Sequence, residues 1–242
     1  MMKYFSVKEI DEEDNKKIIG DIDECRYYLD INDDNEIVPY LERIILSDYD
    51  FYKKKKLKVV NFISFDPNNK FTDIIFGCAF SLNGFVVSDK VRLILLKYKL
   101  LEVQFTPVVN ERIPPNSYYF MFFNSDLTPV IDYKHTELFI HDFFTQEIKP
   151  LNIKNRTELT KIVKKYSAIV GENIIAKKVC FKRKVDYDVF RVGQFDDNFY
   201  FSERVVNELR DNNVLGAEFY KGYEMLNNCL IYPPPDFFGR QT

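Results

Sequence analysis

Two stretches of this 242-residue chain align without a gap: Phe85–Thr106 (FVVSDKVRLILLKYKLLEVQFT) and Phe199–Tyr220 (FYFSERVVNELRDNNVLGAEFY). Ser88 falls on Ser202, Asp89 on Glu203, Lys90 on Arg204, Val91 on Val205, Leu95 on Leu209 and Phe105 on Phe219. Each stretch opens as an apolar run, stops at the serine, continues with apolar residues at helical spacing, and closes as a β-rich run. Internal self-similarity restricts architecture more than any single residue does. The expectation is two related strand-helix-strand halves.

Within each copy the serine reads as an N-cap, its hydroxyl accepting from an unpaired N–H of the first turn, with Asp89 or Glu203 at the positive end of the helix dipole. Val205, Val206 and Leu209 form the buried stripe of the second helix, and Asn212 or Asn213 ends it in the left-handed region. Gly216 permits a tight turn into the strand that reaches Phe219, whereas the first copy has Glu102 there, so the two turns are expected to differ.

Outside the copies, 23 Phe and 16 Tyr with no Trp favour strands as the bulk of the core. β-rich runs at 3–8, 57–65, 71–76, 100–109, 118–123, 130–133, 137–140, 173–182 and 186–192 are separated by turn chemistry such as Asp66-Pro67-Asn68-Asn69. Helices are expected over 40–52 and 156–170, the latter capped by Asn155 or Thr157 and followed by Gly171. After Tyr223 the prolines predict an extended tail. The fold class is α+β, largely antiparallel sheet with a few helices. Residues 1–56 read as an acidic segment packed on a body that spans 57–242.

Charge is uneven. Residues 1–36 carry twelve Asp and Glu against five Lys and Arg, a balance of −7 in a chain of net charge −3, so the remainder is near +4. This argues against nucleic-acid binding as the main activity. Asp30, Asn32, Asp34 and Glu36 imitate the start of an EF-hand loop, but Asn35 replaces the glycine and Leu41 the bidentate acid, so a solvated turn is expected. The lysines 53–56 read as a solvated helix end. Four scattered cysteines and only His135 and His141 make neither a zinc site nor a disulfide framework. The cysteines are expected reduced and mostly buried. No apolar run approaches a membrane span and the N-terminus has no signal-peptide pattern, which predicts a soluble, cytosolic protein without metal or cofactor.

Ser202-Glu203-Arg204 invites a catalytic reading, yet a nucleophilic serine needs a base and neither copy offers a relay. Arg191 and Arg204 are the residues placed to brace a carboxylate bidentately.

The block Asp188–Val192 (DVFRV), followed by Phe201–Phe219 (FSERVVNELRDNNVLGAEF), resembles the signature of immunity protein family 11 of bacterial polymorphic toxin systems. That family carries a V-F-R-(L/V) strand, then (I/V)-S-E-R-V, then an L-x-G-(V/A)-x-F close. The resemblance reaches back through VVSDKV and VQFTPV to cover roughly residues 57–226. It implies a cytoplasmic protein that binds and neutralises a cognate toxin without catalysis. The acidic residues Glu12, Glu13, Asp14, Asp21, Asp23, Glu24, Asp33 and Asp34 are then candidates for steering toward a basic toxin surface. The alternative is an enzyme or nucleotide-binding module, although no G-x-x-x-x-G-K loop is present.

Overall fold

A computed structural model describes residues 2–8, 27–30, 60–64, 71–76, 84–109, 114–166, 171–193 and 195–233. The eight candidate acidic contacts, the EF-hand-like run beyond Asp30, the helix expected over 40–52, the lysines 53–56, Cys25, Cys78 and the tail beyond Pro233 lie outside the described residues.

The described strands are β1 (Met2–Lys8), β2 (Tyr27–Asp30), β3 (Val60–Ser64), β4 (Ile74–Ile75), β5 (Gly84–Ser88), β6 (Val103–Val109) and β7 (Tyr118–Phe123). They continue with β8 (Glu137–Asp142), β9 (Ile148–Leu151), β10 (Glu172–Cys180), β11 (Val189–Gly193), β12 (Asp196–Ser202), β13 (Glu218–Leu226) and β14 (Cys229–Ile231). The described helices are α1 (Asp89–Leu95), α2 (Arg156–Tyr166) and α3 (Glu203–Asp211). The fold is α+β and mostly sheet.

An antiparallel eight-stranded sheet has the order β11-β12-β1-β13-β14-β10-β8-β9. A six-stranded sheet, β2-β3-β6-β7-β5-β4, is antiparallel except where β3 meets β6. Helix α1 connects β5 to β6, and β7 lies between those two strands, antiparallel to both. Helix α3 connects β12 to β13, and β1 lies between them in the same way. Both stretches are therefore split β-α-β units, each open to one inserted strand. Residues 2–8 supply the inserted strand of the larger sheet, with Tyr4, Phe5, Ser6 and Val7 all buried.

Side-chain alternation along the strands makes two cores. Phe5, Val7, Phe199 and Phe201 meet Phe85, Val87, Met121 and Phe123 of the smaller sheet, together with Val91 and Leu95 of α1 and Val205, Val206 and Leu209 of α3. On the opposite face of the larger sheet Tyr4, Phe190, Tyr200 and Leu230 pack with Leu159 of α2 and with Leu127 and Ile131. Aromatic edge contacts tie the first core together: the rings of Phe85 and Phe199 lie 4.9 Å apart at 80°.

Helix α2 is capped by Asn155, whose side-chain oxygen accepts from Glu158 N at 3.0 Å, while Glu158 reaches back to Lys154 N at 2.8 Å. Asn213 takes φ +51° at the end of α3. Glu102 and Gly216 both have positive φ, +36° and +102°, so the difference expected between the two turns is one of degree.

Four expectations are corrected. Residues 130–133 are not a strand: Asp126 accepts from Thr128 N at 2.9 Å and starts a 3-10 turn over Thr128–Val130. The chain after Tyr223 continues β13 to Leu226 and returns as β14, because Asn227 and Asn228 adopt φ +49° and +60° and make a tight hairpin. Cys180 and Cys229 are not reduced. They are directly opposed on β10 and β14 and joined by a disulfide. Strand pairing brings together two residues whose 49-residue separation gave no sign of it. Finally, the strand expected over 137–140 runs on to Asp142 and turns back as β9, the return of a hairpin from β8.

Candidate functional site

The polar groups of the two serine motifs gather where the split units meet. Asp188 precedes β11 and is buried, 1% exposed. Its Oδ1 accepts from Ser202 Oγ at 2.8 Å and Arg204 Nε at 2.6 Å, and its Oδ2 from Lys99 N at 3.0 Å and Arg204 Nη2 at 2.5 Å. Arg204 thus braces the carboxylate with two parallel bonds, the geometry a guanidinium supplies and an ammonium does not. Burial pushes the Asp188 carboxyl up, but the hydrogen bonds from Arg204, Lys99 N and Ser202 outweigh it and hold the group below the usual carboxylate range.

Ser202 occupies the N-cap position of α3, with φ −65° and ψ 154°, but accepts no hydrogen bond from the helix. The expected capping bond is replaced by the donation to Asp188. Capping does occur at Ser88, which accepts from Val91 N at 3.3 Å while donating to Asp73 at 2.8 Å. Asp73 also pairs with Lys90 at 2.8 Å and accepts from Leu215 N at 3.2 Å. The two sites therefore have matching parts: an aspartate before the first strand, the serine fourteen or fifteen residues on, a cation two residues after the serine, and a backbone N–H from the segment that follows the other unit's helix.

That last contact is reciprocal. Asp188 N donates to Lys99 O at 2.7 Å and Leu101 N to Val189 O at 2.9 Å, while Ile74 N donates to Leu215 O at 3.0 Å. Gly216 is required here, since a Cβ would lie 2.0 Å from Ile74 O. Around this junction Glu208 accepts from Lys97 at 2.5 Å and from the hydroxyl of Tyr98, which hold its carboxyl below the usual range. The Arg204 guanidinium lies over the Tyr98 ring at 5.5 Å. Phe219 packs on the first core, and Asp89 pairs with Arg92 at 2.7 Å. Glu203 is exposed, 3.8 Å from Lys3. Arg191 is not in this cluster: it is buried in β11, 5.1 Å over the Phe199 ring.

A second buried acid, Asp196, accepts from Tyr200 at 2.6 Å, Tyr232 at 2.5 Å, and Asn198 N and Nδ2 at 3.0 and 2.7 Å. Burial raises both tyrosine hydroxyls well above their ordinary value, so they stay protonated donors. This network ties β12 to the segment after β14.

Two further features face outward. A groove of about 670 Å³ runs beside β8 and β9, lined by residues that include Tyr133, Leu138, Leu151, Ile153, Lys134 and Lys154. The turn from β8 to β9 displays Phe143 and Phe144, 63% and 72% exposed. Neither was singled out in the sequence, where an aromatic pair among 39 Phe and Tyr residues gives no signal of exposure.

No protein-family model matches this chain, and no curated protein matches it significantly. Among the described residues no group of three or more His, Cys, Asp and Glu is placed to hold a metal ion. No helix among them is long and apolar enough to cross a membrane. His135 is paired with Asp132 at 2.7 Å and His141 is buried in β8.

Proposed function

We propose that the chain is a non-catalytic immunity protein that binds and blocks a cognate toxin of a bacterial polymorphic toxin system in the cytoplasm of the producing cell. The resemblance over Asp188–Phe219 suggests the role. The observation that carries it is the engagement of the motif inside the fold: Ser202 donates to a carboxylate already braced by Arg204 and Lys99 N. A carboxylate held below its usual range is a weak base, so this serine is a brace between strand and helix rather than an activated nucleophile.

The matching polar junctions and the shared split β-α-β order support a second part of the reading, that the two units are copies of one scaffold. Toxin recognition then falls to surfaces outside the copies. The acidic residues between Glu12 and Asp34 belong to this proposal as a steering charge toward a basic partner. In a reducing compartment β10 and β14 stay joined by backbone pairing, at the stability cost of losing the Cys180–Cys229 bond.

The test is co-expression with the product of any neighbouring gene that is toxic when expressed alone. Wild-type chain is expected to restore growth, and failure to do so at matched expression overturns the reading. A small-molecule module is the alternative, favoured by the groove beside β8 and β9. A melting temperature raised by ATP or GTP would support it over the immunity role.

A further inference from the structure

We infer that the β8–β9 turn is the anchor by which the chain holds its partner, and that it fits a protein surface with an apolar socket flanked by Lys or Arg. This rests on the immunity reading and adds the contact surface to it. Aromatic side chains, Phe included, are enriched at protein interfaces, and two χ angles bring large apolar area at little entropic cost.

The turn is closed by its own hydrogen bonds. Asp142 Oδ1 accepts from Phe144 N at 2.8 Å and Thr145 N at 3.1 Å, Phe143 N donates to Gly171 O at 2.6 Å, and Gln146 Nε2 donates to Phe143 O at 2.6 Å. Gln146 holds φ +59°, a conformation unusual for a residue other than glycine. Gly171 is shaped to the ring: a Cβ there would lie 2.2 Å from Phe144 Cε2. The two rings stand edge to face with centroids 6.1 Å apart. Both glycine and turn strain hold these rings in position, yet the rings remain open to water.

The charges on the three strands that meet at this turn set the partner's chemistry. Asp142 and Glu172 are directly opposed across β8 and β10, and Glu147 O accepts from Asp142 N at 3.0 Å. One cation, Lys149, pairs with Glu147 at 2.6 Å. Among the described residues of these strands, three carboxylates against one ammonium give this end of the sheet a net negative charge. The backbone N–H groups of Thr145 and Phe144 hold the Asp142 carboxyl below the usual range, so it is ionised at neutral pH. Glu172 Oε2 is buried without a hydrogen-bond donor among the described residues, so no hydrogen bond to that oxygen offsets its charge. A basic side chain beside the two rings would find both carboxylates and aromatic faces. The net negative charge disfavours an anionic lipid surface.

The experiment measures binding of the purified product of a neighbouring gene that is toxic when expressed alone, inactivated by mutation, to wild-type chain and to the Phe143→Ser/Phe144→Ser variant. Because both rings are exposed, the variant should melt within about 2 °C of wild type, as surface substitutions do. Its affinity should fall by at least about tenfold, the loss typical of an interface anchor. Glu147→Lys should slow association several-fold at low salt and less at high salt. Equal affinity of a folded double variant overturns this inference alone. No binding by wild type overturns the immunity reading beneath it. Self-association of the chain, or binding to phosphatidylcholine vesicles, that disappears in the double variant would reassign the turn to another copy or to a membrane and overturn the inference.

Discussion

Replacing Ser202 by Ala separates a structural brace from a helix cap. The side chain is 1% exposed and its hydroxyl makes one bond, the 2.8 Å donation to Asp188. A hydrogen bond to a charged group contributes about 1.5–3 kcal/mol, so the loss should be about 2 kcal/mol. Asp188→Ala strands the Ser202 hydroxyl and Lys99 N, while Arg204, whose side chain is 66% exposed, recovers its partners in water. Its cost should be about 3 kcal/mol, with little contributed by the solvated guanidinium. Once Asp188 is gone the hydroxyl has nothing to lose, so the double variant should also cost about 3 kcal/mol, giving a coupling of about 2 kcal/mol. Urea unfolding reads this directly. With a slope of about 3 kcal/mol/M, the single Ser202→Ala change should move the midpoint by about 0.7 M. Equal costs of Ser202→Ala in both backgrounds would refute the reasoning, because a cap acts on the helix regardless of Asp188.

Three other outcomes follow from the same geometry. Gly216→Ala should destabilise by about 3 kcal/mol, through positive φ and collision with Ile74 O, and lower the melting temperature accordingly. Because the folded-state Asp188 carboxyl lies below its unfolded value, the stability it contributes is present above about pH 4 and lost as pH falls lower; the drop in urea midpoint from pH 5 to pH 3 should shrink in Asp188→Asn. Reducing Cys180–Cys229, which closes a loop of 49 residues, should cost up to about 4 kcal/mol, seen as a lower melting temperature in dithiothreitol and absent in Cys180→Ser.

Much of the fold was legible because it depends on local pattern. Ser88 and Ser202 mark both helix starts, the apolar spacing of Val205 and Leu209 marks the buried face, and Tyr118–Phe123 reads as a strand from its composition. What was hidden depends on pairing between distant strands. Nothing near Met2–Lys8 says that this run fills the slot between β12 and β13. The return of β14 was readable in Asn227-Asn228, a pair suited to left-handed turns, but the following prolines obscured it. The polar cluster was legible only in half. Arg204 was picked out as a brace, whereas its carboxylate and the serine's true partner, Asp188, emerged from the hairpin register that sets Val189 against Phe201. Asp73, the matching acid of the other unit, gave no signal, because its role depends on Leu215 arriving from the opposite half. Exposure of Phe143 and Phe144 was equally invisible, since an aromatic pair in a β-rich run reads as core.

The Ser-Glu-Arg motif is engaged inside the scaffold, and the proposed toxin binding falls to surfaces away from it. The decisive measurement is the affinity of folded Ser202→Ala for the inactivated product of a neighbouring gene that is toxic when expressed alone. A dissociation constant within about twofold of wild type is expected, since the altered side chain is buried and lies outside the proposed β8–β9 anchor. A folded Ser202→Ala variant that has lost about tenfold or more in affinity would contradict it.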